Sequence, residues 1–333
     1  MNTDVRESIM VLDKARSFFD TGQHAALVEY LAGLPPVEIE RSPTLALLFG
    51  IAHARMGRHP EGERWVGVSL ELARQRGDRG VEARALNVKG AIALESGRVE
   101  DAAGFFMRAL EEAKREGDHS TVGRCSNNLG IVANLRGDHG RAIGSYAMAL
   151  AAFDQAGLPR GVAETRHNLA ITYRDQGNLP KALEAADSAV EEAGAAGDRA
   201  LAAQTRAGRA EIRTLSGDAP FGLREVELAL GTHRELGDVV GEAEDLRVLA
   251  AALAALGETT QAEGTLLVVI ARAEQHERPL LAAMARRDLA HLLRRLGRAA
   301  EATDVALTAR AQFMQLGAAA EARKLDEFAA KPG

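Results

Sequence analysis

Asparagine and arginine recur in this 333-residue chain at intervals that place them on one side of a helix. Asn87, Asn127 and His167 follow one another at forty residues, as do Asn128 and Asn168. Asn134 and Arg174 make a third series, and Arg84 and Arg124 a fourth. Within one window these positions lie three, four or seven residues apart, so they share a helix face. An amide side chain both donates and accepts, which suits the backbone of an extended peptide. A guanidinium grips a carboxylate through two parallel bonds. The competing reading is a plain solvated face, although asparagine is a weak helix former. A second basic set, Arg287, His291, Arg294 and Arg298, also follows helical spacing beside Arg286 and Arg295. It fits an acidic partner or, again, a solvated face. Nucleic acid is not expected there, because no aromatic residues interleave for stacking.

Catalytic patterns are missing from the sequence. There is no Walker loop, dinucleotide glycine motif, nucleophile elbow or His-Glu-x-x-His pair. The nine histidines are scattered, and His119 and His139 lie near opposite ends of one helix, too far apart for a shared metal. Cys125 is the single cysteine, which excludes an internal disulfide and a thiolate cluster; a buried small apolar role is expected for it. Neither enzyme activity nor a cofactor or metal is expected. A net charge of −6 argues against a general nucleic-acid binder. The opening MNTDVRESIM has no apolar stretch of a secretory signal, and no run approaches the roughly 18 apolar residues of a membrane span. A cytoplasmic location without membrane insertion is the expectation.

What must position the polar series is a period. Gly57, Gly97, Gly137, Gly177, Gly217, Gly257 and Gly297 are spaced by forty residues. Gly77, Gly117, Gly157, Gly197, Gly237 and Gly317 form a second series, broken only by Glu277. A glycine past a helix end takes the left-handed conformation that closes it. Six of these glycines precede an aspartate (Asp78, Asp118, Asp138, Asp198, Asp218 and Asp238), placed to cap the next helix. Pro60, Pro159, Pro180, Pro220 and Pro279 fall at first-turn sites, where proline loses no helical bond. The pattern predicts helices of about 15 to 18 residues joined by tight turns. Three columns stay small: Gly50, Gly90, Gly130, Ala170, Ala210, Ala250 and Ala290; the series through Ala142; and the series through Ala149. Small side chains at such steps are expected where two antiparallel helices cross.

These columns resemble the tetratricopeptide repeat. Leu129–Gly130, Gly137, Ala142, Tyr146 and Ala149 follow its order, as do Gly90, Gly97, Ala102, Phe106 and Ala109. The forty-residue unit resembles the long-repeat branch, such as kinesin light chain and the sensor domains of large bacterial transcription regulators. The resemblance covers residues 42–317 as seven repeats and loosens after residue 199, where Gly222 and Val269 replace two alanines. Residues 3–35 resemble a shorter, divergent first repeat around Gly22, and 319–330 a terminal capping helix.

The resemblance implies an all-α, right-handed superhelix of about eight helix-turn-helix repeats, running as one solenoid over residues 1–333. It also implies that the first helix of each repeat lines a concave groove. Arg84, Asn87, Arg124, Asn127, Asn128, Asn134, His167, Asn168 and Arg174 would then face one trough. The expected function is a non-enzymatic scaffold for a protein or peptide partner with some acidic character. Two alternatives remain: a bacterial regulator whose superhelix changes on binding, and self-assembly through the apolar stretch AAALAALG at 250–257 or an end of the solenoid.

Overall fold

The computed structural model describes residues 3–330, with side chains from residue 9 onward; residues 1–2 and 331–333 of the expected array lie outside the described residues. The glycine spacing leaves room only for short turns, and the result is eighteen helices with no strand among the described residues. They fall into two compact units, residues 1–128 and 129–333, divided within one helix.

The first unit holds α1 (Thr3–Asp20), α2 (His24–Ala32), α3 (Pro36–Glu40), α4 (Pro43–Arg55), α5 (His59–Arg76), α6 (Arg79–Glu95), α7 (Val99–Glu116) and the first part of α8 (His119–Leu135). Helices α1 and α2 turn at Gly22, which has φ +71°. The short α3 follows from Pro35–Pro36, with Pro36 in its first turn, and Ser42 caps α4 by accepting from the Leu45 N–H at 3.2 Å. Phe49 anchors the first core, 4.9 Å from the Trp65 ring and 4.7 Å from His53. A second core gathers Leu47, Val66, Leu70, Val81, Leu86 and Ile92.

The second unit continues with α9 (His139–Ala156), α10 (Pro159–Asp175), α11 (Leu179–Ala195), α12 (Arg199–Leu215), α13 (Ala219–Leu236), α14 (Val239–Leu256), α15 (Thr259–Gln275), α16 (Pro279–Arg295), α17 (Ala299–Gln315) and α18 (Ala319–Ala330). Consecutive helices pack as antiparallel hairpins, and the even-numbered α10, α12, α14 and α16 also touch in succession. Ala170, Ala210, Ala250 and Ala290 are buried where the hairpins cross, with Ala182, Gly222, Ala262 and Ala302 facing from the odd-numbered helices. At Gly130 the need is tightest: a Cβ there would lie 2.6 Å from Cδ1 of Tyr146.

All six aspartates cap as their positions suggest. Asp78, Asp118, Asp138, Asp198, Asp218 and Asp238 accept from the backbone N–H three residues on, at 2.9–3.2 Å. The break in the glycine series is informative. Glu277 keeps the left-handed geometry with φ +52°, and among the described residues no other non-glycine residue has positive φ. An L-residue there costs roughly 1–2 kcal/mol, while glycine loses some of that to unfolded-state freedom. Glu277→Gly is expected to raise stability by about 1 kcal/mol, read as an increased melting temperature in calorimetry.

Candidate functional site

In the first unit the polar series converges on α6 and α8. The Asn87 Oδ1 accepts from the Asn128 Nδ2 at 3.1 Å and from the Cys125 thiol at 3.4 Å. Cys125 is fully buried, and burial pushes its thiol up to about 12, so it is no nucleophile at neutral pH. Asn127 is buried beside it. Arg84 and Arg124 are exposed one turn earlier on the two helices. Arg84 Nε donates to the Gly80 carbonyl at 3.2 Å. Neither arginine makes an ion pair among the described residues.

In the second unit the corresponding positions belong to a chain of charge pairs. Asn134 Nδ2 donates to Asp175 at 2.9 Å, while its Oδ1 meets His139 Nδ1 at 3.0 Å. Arg174 is bound by Asp175 at 2.8 Å and by Glu211. Arg247 donates to Glu211 and to Asp288, both at 2.8 Å. Arg287 donates to Asp288 at 2.8 Å and to Glu321 at 2.6 Å, and Lys324 holds the other Glu321 oxygen at 2.6 Å. The chain of contacts thus steps across α8, α10, α12, α14, α16 and α18, with every guanidinium of the ladder engaged.

The electrostatics follow from burial and pairing. Burial opposes the Glu211 charge, but Arg174 and Arg247 outweigh it and lower the carboxyl from 4.5 to about 2. Burial likewise opposes Glu321, and Arg287 with Lys324 brings it to about 2. Asp288 is also lowered, and Arg247 and Arg287 are raised. His167 sits behind this ladder, buried. Burial and then Arg174 lower it to about 4, so it is neutral at pH 7. Gly208 on α12 makes room for it: a Cβ there would lie 2.5 Å from the His167 Cε1. Asn168 is the next residue, half-buried.

The second basic set serves the end of the stack. Arg287 is a ladder residue. Arg294 lies 3.4 Å from the Phe328 ring centroid and donates to its carbonyl at 2.5 Å; His291 meets the same ring edge-on at 4.6 Å. Together they seat α18. Arg298 instead binds Glu263 at 2.7 Å and Glu301 at 2.6 Å.

Arg247 stands in the column of Asn87, Asn127 and His167, and Asp288 in that of Asn128 and Asn168, while Glu211 and Glu321 complete the network from outside those columns. One signal was present: the position after the small column reads Ile51, Ala91, Ile131 and Ile171 before turning to Glu211. A carboxylate at an otherwise apolar position requires a cationic partner.

Packed helical hairpins with an inner polar register define a class of helical-repeat protein. Residues 83–155 and 124–193 match the family model described as Tetratricopeptide repeat, so these repeats are tetratricopeptide repeats. No curated protein sequence is similar to the chain. Among solved structures it is similar to a Rap protein complexed with competence and sporulation factor, at 14% identity over 97% of each chain, with a TM-score of 0.65. The Rap conjugation gene regulator of the plasmid pLS20, in complex with the Phr* peptide, is 18% identical over 82% of this chain and 75% of that one, with a TM-score of 0.62. The apo quorum sensor NprR from B. thuringiensis is 18% identical over 98% and 97%, with a TM-score of 0.57. At these identities the likeness establishes the fold.

The pH dependence of stability follows from the shifts. Folding lowers the pKa of His167 from 6.5 and those of Glu211 and Glu321 from 4.5, so the unfolded chain binds more protons and stability falls as pH drops. The loss is expected first between pH 6.5 and 4, through His167, then between 4.5 and 2 through the two glutamates. His167→Asn should flatten the upper window in melting curves against pH. Glu211→Gln, which takes from Arg174 and Arg247 one of the two carboxylates each binds, should cost roughly 3 kcal/mol at pH 7 in denaturant unfolding.

Proposed function

We propose that the protein is a binding scaffold that holds an extended peptide segment on the inner, even-numbered helices of its repeats. The observation that carries this reading is the amide series, Asn87, Asn127 and Asn128 in the first unit and Asn134 and Asn168 in the second, set on packed helices. The Rap protein and the pLS20 regulator, named for complexes with a factor and a peptide, support it by fold. No helix among the described residues is long and apolar enough to cross a membrane.

The charges assign different tasks to the two units. In the second, Arg174, Arg247 and Arg287 already bind carboxylates of the chain itself. A ligand carboxylate would have to break a buried pair, which costs about 3–5 kcal/mol. Acidic groups of a partner are therefore assigned to the exposed Arg84 and Arg124 of the first unit. Amide hydrogen bonds are assigned to the donor and acceptor capacity of the asparagines that the Asn87–Asn128, Asn134–Asp175 and Asn134–His139 contacts do not use. A second reading, a regulator that responds to its ligand, is favoured by the likeness to NprR, a quorum sensor.

Partner capture from native lysate, identified by mass spectrometry, tests the proposal. Asn128→Ala with Asn168→Ala is expected to abolish capture while far-ultraviolet circular dichroism stays unchanged. Arg84→Ala with Arg124→Ala is expected to weaken it by about tenfold and reduce its salt sensitivity. Capture unaffected by the asparagine pair would sink the inner-face reading. Scattering dimensions that change with ligand would favour the regulator.

A further inference from the structure

Helix α15 is apolar on two sides. Its inner stripe, Ala262, Leu266, Val269 and Ala273, is buried in the core. Its outer stripe, Gly264, Leu267, Val268 and Ala271, is exposed at the i, i+3, i+4, i+7 spacing of one helix face. Leu228 on α13 and Leu307 on α17 stand at matching positions one repeat to either side. These four large aliphatic side chains are between 46% and 54% exposed. Scattered exposed aliphatics need no explanation, but a cluster on successive outer helices marks a contact surface. On α11 the equivalent positions are Asp187 and Ser188, so the repeat itself does not demand apolar residues there.

The charges identify the occupant, and two glycines admit it. Gly231 and Gly264 lie inside helices, and a Cβ added to either would meet nothing within 4 Å, as also at Gly67, Gly104, Gly144 and Gly194. A helix-interior glycine costs about 0.5–1 kcal/mol relative to alanine, and nothing in the chain itself uses the missing Cβ. Close approach by another backbone would. The charges then specify which one. Arg224 on α13 and Asp304 on α17 are exposed at the register of Gly264, forty residues before and after it, and neither makes an ion pair among the described residues; Glu227 on α13 is also exposed on this face, at the register of Leu267. A patch with opposite charges flanking its centre becomes complementary to itself when turned by half a revolution about the central helix direction.

We propose that this face is a homodimer interface. Helix α15 packs on α15 of a second copy about a two-fold axis along the helices. Gly264 and Ala271 admit the close approach, Leu267 and Val268 fill it, and Arg224 meets Asp304 of the partner subunit. The interface lies on the outer helices, apart from the inner face assigned to a peptide.

Sedimentation of the full chain over a range of concentrations tests this. The wild-type protein is expected to form a reversible dimer with a Kd of about 1 μM. Leu267→Glu should give a monomer of unchanged helicity. Gly264→Leu adds apolar surface, so non-specific association would strengthen, whereas the packed interface weakens. Arg224→Asp should weaken the dimer at least tenfold, and Arg224→Asp with Asp304→Arg should restore it. A wild-type monomer at every concentration overturns the proposal and leaves the face to a different chain. A dimer indifferent to Leu267→Glu, or a charge-swapped pair no tighter than the single variant, overturns it equally.

Discussion

Everything in each unit depends on how closely one helix of a hairpin can approach the other. That distance is set by the small columns. Tyr146 lies over Gly130 and Phe106 over Gly90, with each ring occupying the space a Cβ would need. The aromatic ring supplies the buried area and the missing side chain supplies the room. Where the first helix carries alanine instead, as at Ala170, Ala210, Ala250 and Ala290, the facing helix carries smaller residues, among them Ala186, Val226, Leu266 and Ala306. The largest side chains thus stand only where the facing helix carries glycine, and at least one member of each facing pair stays small.

Register has an electrostatic consequence in the second unit. Because successive even-numbered helices present the same positions at the same height, a charged residue on one can reach a charged residue on the next. Arg174, Glu211, Arg247, Asp288, Arg287 and Glu321 alternate in sign along that direction, so each interior charge has opposite charges on both sides. Isolated buried ion pairs often fail to repay their desolvation. A chain of them shares each partner twice, and the depressed Glu211 and Glu321 show that pairing outweighs burial here. Such a ladder also resists slippage, since a helix displaced by one turn would leave several charges unmatched.

What could be read from the sequence was what repeats in it. The turns, the aspartate caps, the first-turn prolines and the small columns each occupy one position of a forty-residue unit, so a column makes them visible. The ladder was obscure for a geometric reason. Its carboxylates stand at different offsets: Asp175 follows Arg174, Glu211 follows the small column, Asp288 precedes it, and Glu321 lies on the terminal helix. No single column displays the pattern, and Arg174 taken alone reads as an available cation. Glu277 teaches the converse. The sequence lost its glycine there, but the turn kept its shape, because the helices packed on either side over-determine the backbone between them. The short α3 arises where Pro35, Pro36 and Pro43 interrupt the period, and a broken period offers no column to read.

The contrast between the two inner surfaces bears on specificity. A face whose charges are already satisfied offers a ligand little Coulombic gain and penalises any group that must displace an existing partner. It can still offer shape and amide hydrogen bonds. A face with exposed guanidiniums does the reverse, attracting carboxylates from a distance and losing that attraction in salt. In a repeat protein such differences arise from a handful of substitutions at fixed positions, because the hairpin packing that holds them does not change. Arg84 and Arg124 give way at the equivalent position to Glu164, Gln204 and Glu244. The same helix face thereby changes from cationic to acidic while the column at the hairpin crossing stays small, so the position that sets the charge varies independently of the positions that set the packing.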